Sequence, residues 1–206
     1  MVKGLEEQLG PPGPHALVRP VIAGPRWNVV NVVGTMNLDQ KIDLERLGRL
    51  RYAKFDADLY PAAYVKTNDM IGRVTIFNSG KLISVGTTSV SRAEKESLQV
   101  IDYIARERIV RPTRPAMKVQ NIVAVFDIGT RIEIGRYVKD TPCVIYEPEQ
   151  FPGVIHWLRD PKLTTLLFES GKGVLAGAKS TKEMTRGLSE VFRTIEQYRV
   201  GVELHR

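Results

Sequence analysis

Apolar positions along the chain switch between two rhythms. "WNVVNVVGTMNL" from Trp27 is rich in β-branched residues and reads as a strand, and "DLERLGRL" sets Leu44, Leu47 and Leu50 on one side of a short helix. Three short strand-like runs follow, "AAYVK", "GRVTIF" and "KLISVG". Next comes a long amphipathic helix with Ala93, Ser97, Val100, Ile101 and Ile104 as its stripe. Ser91 and Glu94 are spaced as a capping box at its start, and Pro112 lies past its end.

The pattern then restarts. A strand "MKVQNIVAVFDI" and a short segment "TRIEIGRYV" lead to strands near "CVIYE", "GVIHWL", "KLTTLLF" and "GVLAG". A last helix opens on Ser180 and Glu183, with Met184, Leu188, Val191, Phe192 and Ile195 on its apolar face. Residues 56–89 laid on 147–180 at an offset of 91 are identical at eight of 34 positions: Pro61/Pro152, Asp69/Asp160, Phe77/Phe168, Ser79/Ser170, Gly80/Gly171, Lys81/Lys172, Gly86/Gly177 and Ser89/Ser180. The opening strands match at an offset of 90, Asn31 with Asn121. The chain is therefore a tandem duplication. It divides into a proline-punctuated flexible arm (1–26), a first repeat (27–114), a second repeat (115–200) and a short tail (201–206).

Each repeat supplies about five strands and one long helix, enough to cover one face of its sheet. Joined side by side, the repeats predict an α+β saddle: one curved, mostly antiparallel sheet of about ten strands, with both long helices on the convex side. An ordinary half-exposed sheet would be polar on its bare face. Here Val29, Val30, Val32 and Val33, and later Leu163, Leu166, Leu167 and Phe168, make both faces apolar. A contiguous apolar face without a cover marks a binding surface.

Charge says what kind of partner suits it. Lys and Arg number 30 against 23 Asp and Glu, a net charge of +7 over 206 residues, which favours a polyanion. The single cysteine, Cys143 in "TPCVIYEP", cannot form an internal disulfide and reads as a buried small hydrophobe in a reducing compartment. No run approaches the ~18 apolar residues of a membrane span, and no leader pattern opens the chain, so a soluble cytoplasmic protein is expected. His15, His156 and His205 are scattered without metal spacing, and there is no nucleophile elbow or phosphate-cradling loop. An enzyme is therefore not expected, nor a cofactor or metal.

The segments "VVNVVGTMNLDQKIDL", "IFNSGK", "VQNIVAVFDI", "YEPEQFPGVI" and "LLFESGKGVLAGAKS" resemble the TATA-box-binding protein family, its archaeal members especially, over about residues 28 to 200. The resemblance implies a transcription initiation factor whose concave sheet sits in the minor groove of A·T-rich promoter DNA and bends it. Two aromatic pairs, Phe151 with Phe168 and Tyr60 with Phe77, would pry open base steps, with Pro61 and Pro152 beside them. Asn31 and Asn121 would bond groove acceptors near the dyad, and the methyls of Val33 and Val123 would crowd guanine's amino group. Lys81, Lys172 and Lys179 match phosphate contacts, with Lys66, Arg73 and Lys162 as weaker ones; Val85, Val174 and Ala176 complete the DNA face. Transcription factor B would dock on Tyr146, Glu147, Glu149 and Gln150, and RNA polymerase would follow into a pre-initiation complex. The location implied is the nucleoid of a cell without a nucleus, and the free protein can hide its concave face in a homodimer.

The chain also departs from the family pattern. Val85 and Ala176 stand where a threonine contacts the central base pairs, and Leu59, Ile71 and Trp157 stand where arginines meet phosphates. "VGTTS" replaces an expected "TGAKS". These losses permit a second reading, a divergent saddle that binds mainly proteins and regulates transcription. Failure to bind a TATA duplex while still binding transcription factor B would select it.

Overall fold

The structure, a computed structural model, describes residues 25–201. All of the expected N-terminal arm but Pro25 and Arg26, and all of the tail but Gly201, lie outside the described residues. The first repeat runs β1 (Arg26–Asn37), α1 (Leu44–Gly48), β2 (Ala53–Asp56), β3 (Tyr60–Val65), β4 (Arg73–Phe77), β5 (Lys81–Thr87) and α2 (Val90–Arg106). The second runs β6 (Lys118–Asp127), α3 (Ile134–Asp140), β7 (Val144–Ile145), β8 (Gly153–Trp157), β9 (Thr164–Phe168), β10 (Lys172–Ala178) and α4 (Thr181–Ile195), closed by a 3-10 turn at Glu196–Tyr198. Among the described residues no helix is long and apolar enough to cross a membrane.

All ten strands form one antiparallel sheet in the order β2-β3-β4-β5-β1-β6-β10-β9-β8-β7. The order reads the same from either end once the repeats are exchanged, so a pseudo-twofold axis passes between β1 and β6. These are the longest strands, and their register opposes Asn31 to Val123, Val32 to Ile122 and Val33 to Asn121. Because side chains alternate across a strand, Val32, Ile122 and Ala124 point to the helices while their neighbours point away.

The helices cover one face only. Ala93, Val100, Ile101 and Ile104 of α2 are fully buried, as are Met184, Leu188, Val191 and Ile195 of α4. Val32 and Ala93 of the first repeat join the core of the second, so the seam is packed as well as hydrogen-bonded. Each buried Val, Leu, Ile or Met side chain among these contributes about 1.5–3 kcal/mol. Leu163 and Leu167, read above as helping to make both faces apolar, lie in the core; Leu166 and Phe168 are half-exposed on the bare face.

Five local readings are corrected. The α2 cap is Ser89, whose hydroxyl accepts from the Arg92 amide at 3.2 Å; Ser91 bonds only to Ser89. Ser180 does cap α4, accepting from the Glu183 amide at 3.1 Å, but Glu183 accepts from the Lys179 amide rather than from Ser180. Strand β2 arises in "RYAKFDAD", where no strand was marked, and "TRIEIGRYV" contains a helix, α3. Cys143 is exposed, with φ of 60°, in the turn before β7; a left-handed backbone at a surface turn carries its side chain into solvent.

His156, one of the scattered histidines, belongs to the core. Its Nδ1 lies 2.6 Å from the Tyr137 hydroxyl, and both side chains are buried. Burial pushes the Tyr137 phenol above its ordinary range and the imidazole below its own, against a smaller upward pull from Glu190. The unfolded chain therefore binds a proton that the fold resists, so this stability is complete above the unfolded pKa near 6.5 and is lost as pH falls through it. Leu47 and Val65 fill the corresponding first-repeat positions. The melting temperature of the native chain is expected to fall between pH 7 and pH 5.5, and a Tyr137→Phe/His156→Val double variant to flatten that slope in calorimetry. Equal slopes would remove His156 as the cause.

Candidate nucleic-acid interface

The face opposite the helices is built by the alternation of every strand. Across its centre lie Asn31, Val33, Asn121 and Val123, all half-buried, with Val85 on β5 and Val174 and Ala176 on β10 beside them. The two asparagines make the same bond. Asn31 Oδ1 accepts from the Gly86 amide at 2.8 Å, and Asn121 Oδ1 accepts from the Gly177 amide at 2.8 Å. With each oxygen occupied, each Nδ2 is left as a donor directed by the bond behind it. Gly86 and Gly177 reach this position with φ of 88° and 110°, a backbone that L side chains adopt at a cost. Sequence comparison marked these glycines as identical but missed their task, since nothing in a linear pattern links them to an asparagine 55 or 56 residues away.

The aromatic pairs flank this centre. Tyr60 and Phe77 pack edge to face with centroids 6.2 Å apart at 65°, and Phe151 and Phe168 do so at 5.8 Å and 63°. The outer ring of each pair is 39% and 36% exposed, so neither ring is core. Gly153 lies under the second pair: a Cβ there would come within 2.8 Å of Phe151 and 2.9 Å of Phe168. The first repeat has Ala62 at that position, and its pair is the wider one. Pro61 and Pro152 follow the outer rings and are exposed.

Charge surrounds the face. Lys81 and Lys172 open β5 and β10 and are exposed on it, in alternation with Ile83 and Val174. Lys179 is exposed on the loop before α4 and has Thr88 as its counterpart, so the threefold set of lysines is not symmetric. Lys66 and Lys162 are exposed in the loops that follow β3 and precede β9, and Arg73 starts β4 on the open face itself. Leu59, at 84% exposure, and Ile71 and Trp157 are exposed and add apolar surface to the rim.

One polar group holds the first-repeat rim from behind. Glu96 of α2 is buried beside Arg92, at 2.6 Å, and accepts from the amides of Ile71 and Gly72, both at 3.0 Å. Burial would raise its carboxyl, but Arg92 and the two amides outweigh that and hold it below the ordinary range. The second repeat has Gly187 at this place, packed on Leu163.

The acidic loop proposed for a protein partner lies between β7 and β8. The amides of Gln150 and Phe151 both bond to the Glu147 carbonyl at 2.9 Å, so the loop is a closed turn presenting Glu147, Glu149 and Gln150 to solvent. Tyr146 differs, being half-buried against the second core.

Known proteins resemble this chain in sequence and fold. The family described as transcription factor TFIID, or TATA-binding protein, matches residues 26–106 and 116–198, one match per repeat. The TATA-box-binding protein of Pyrococcus abyssi is 32% identical over 174 residues, 84% of this chain and 91% of that protein. That of Methanocaldococcus jannaschii is 32% identical over 177 residues, 85% and 97% of the two chains. A solved structure of Methanococcus jannaschii TBP superposes with a TM-score of 0.75 at 32% identity, covering 83% of this chain and 98% of that one.

Replacing Gly177 by alanine would keep space for the methyl but force a left-handed backbone on it. A loss of about 1–2 kcal/mol is expected in urea denaturation. An unchanged midpoint would show that this turn does not need glycine.

Proposed function

The chain belongs to the TFIID, or TATA-binding protein, family, and from that premise we propose that it is a general transcription initiation factor which binds A·T-rich promoter DNA through the open face. One observation carries the reading. Two symmetry-related asparagines, each with its oxygen fixed by a glycine amide, aim donors out of an otherwise apolar centre. In the minor groove A·T pairs offer only acceptors, N3 and O2, whereas G·C pairs add a donor that would face both these amides and the methyls of Val33 and Val123.

Bending follows from the rings. A half-exposed aromatic pair at each end of the face can enter a base step, at an unstacking cost of a few kcal/mol that a flexible TA step lowers. The basic rim of Lys81, Lys172 and Lys179 then meets phosphates, with a salt dependence of about one unit of slope per contact. The bound site acts on the nucleoid of a cell without a nucleus and recruits transcription factor B to the turn of Glu147, Glu149 and Gln150, and RNA polymerase after it. An acidic turn suits a basic partner surface.

The exposed Leu59, Ile71 and Trp157 favour the second reading, a saddle that regulates mainly by binding proteins. Energy transfer between the ends of a short duplex separates the two. Submicromolar binding with bending of an A·T-rich duplex, and neither with a G·C-rich one, is expected; no binding to either supports the regulator. Phe168→Ala should lower affinity about tenfold or more and reduce bending, with only a small fall in melting temperature. Equal proportional losses in both would mean that the ring acts as core.

A further inference from the structure

The two repeats differ in charge where the first strand of each turns into its short helix. In the second repeat this corner is neutralised from within. Arg131 pairs with Glu169, Arg199 pairs with Glu196 at 2.9 Å, and the Asp127 carboxylate accepts from the Gly129 amide at 2.8 Å. The matching residues of the first repeat are Lys41 with Asn78, Arg108 with Ala105, and Asn37. All three carboxylates are absent there, while both cations remain and Arg111 joins them.

The three cations line one surface cavity of about 680 Å³, between the loop before α1 and the segment that joins the repeats. A volume of that size suits a small molecule. Among the described residues no carboxylate pairs with Lys41, Arg108 or Arg111. Asp39 lines the cavity as well, but its carboxylate accepts from Asn37 Nδ2 at 2.6 Å. The negative end of α2 is also satisfied: the carbonyls of Tyr103, Ile104 and Ala105 accept from the amides of Glu107, Ile109 and Arg108.

The cations are held in place. Gln40 Oε1 accepts from the Arg111 amide at 2.8 Å, and Gln40 Nε2 donates to the Arg111 carbonyl at 3.2 Å. Arg108 follows α2 with φ of 57°, a left-handed turn that favours glycine. The backbone gains nothing from an arginine at that turn, so the guanidinium is what the residue supplies.

We propose that this cavity is an anion site for a small ligand carrying two or more linked phosphate groups. A chain of phosphates can meet Lys41, Arg108 and Arg111 together, and a guanidinium matches phosphate oxygens two at a time. Ile109 and Pro112 add an apolar wall beside the charge. Bound there, the ligand ties the loop before α1 to the segment between the repeats. Promoter DNA does not fill the site, because one wall is the end of α2, on the covered side of the sheet, and a duplex gripped by its minor groove bends toward its major groove, away from the protein.

Calorimetric titration of the native chain with inorganic tripolyphosphate, without DNA or divalent metal, tests this. One saturable site per chain is expected. Lys41→Ala, Arg108→Gly and Arg111→Ala should each weaken binding at least about fivefold, and Lys182→Ala, exposed on α4, should leave it unchanged. Saturating tripolyphosphate should raise the melting temperature of the native chain, and the same concentration should raise that of Arg108→Gly much less. Glycine suits the left-handed turn, so Arg108→Gly alone should melt no lower than the native chain, and its lost binding is not lost fold. Adenosine triphosphate binding at least about tenfold tighter than tripolyphosphate would identify a nucleotide packed on Ile109 and Pro112; equal or weaker binding would identify a ligand read by its phosphates alone. No saturable binding of either anion, or equal weakening by Lys182→Ala, would leave only attraction to a net charge of +7 and overturn the proposal. The measurement contains no DNA, so its failure leaves the promoter reading standing.

Discussion

The open face depends on the antiparallel pairing of β1 with β6. Two copies of one strand paired antiparallel are related by a twofold axis, and the register of the pair sets Asn31 opposite Val123 and Val33 opposite Asn121. Because side chains alternate with period two, a slip of either strand by one residue would send its asparagine into the core and its buried neighbour, Val32 or Ile122, into solvent. Burial of those two residues under α2 and α4 is what forbids the slip. The seam thus fixes at once the register, the spacing of the two donors and the distance between the aromatic pairs.

Around that symmetric frame the repeats have diverged in what supports it. The first uses a buried carboxylate, Glu96, to hold a rim loop, and the second uses a glycine and close apolar packing at the same place. The second uses a buried histidine and tyrosine where the first has Val65 and Leu47. Neither substitution changes the strand order. Both change the support behind each end of the molecule while the axis is kept.

Much of this was legible in the residues. Duplication, strand alternation and helix stripes were enough to place nine of the ten strands and the three helices with clear apolar faces. Strand β2 was invisible because it is four residues long and carries Lys54 and Asp56. Helix α3 has no side-chain cap at Glu133 to announce it. Two nearby serines made the α2 cap ambiguous, and only the match of Ser89 to Ser180 favours the one that is used. The change of offset from 90 to 91 was visible as one extra residue. Its place was not: Leu47 and Tyr137 still match at 90 while Ala53 and Val144 match at 91, so the extra residue lies between Val138 and Cys143, where α3 runs on to Asp140 while α1 stops at Gly48. The asparagines and rings of the site came from resemblance to a family. The bonds that orient them came from contacts between distant residues, which no periodicity encodes.

A sheet that does not close has two free margins, here β2 and β7. Each margin presents unpaired backbone groups, and a palindromic strand order makes the two margins alike, so each end could in principle be extended by another chain. The second margin is only two residues long and has Pro142 and Pro148 on either side; the first is four residues long and ends at Asp56. Short strands, prolines and charge are what keep exposed sheet edges from templating fibrils. Brevity at its ends, as much as the packing at its centre, lets this sheet remain one molecule wide.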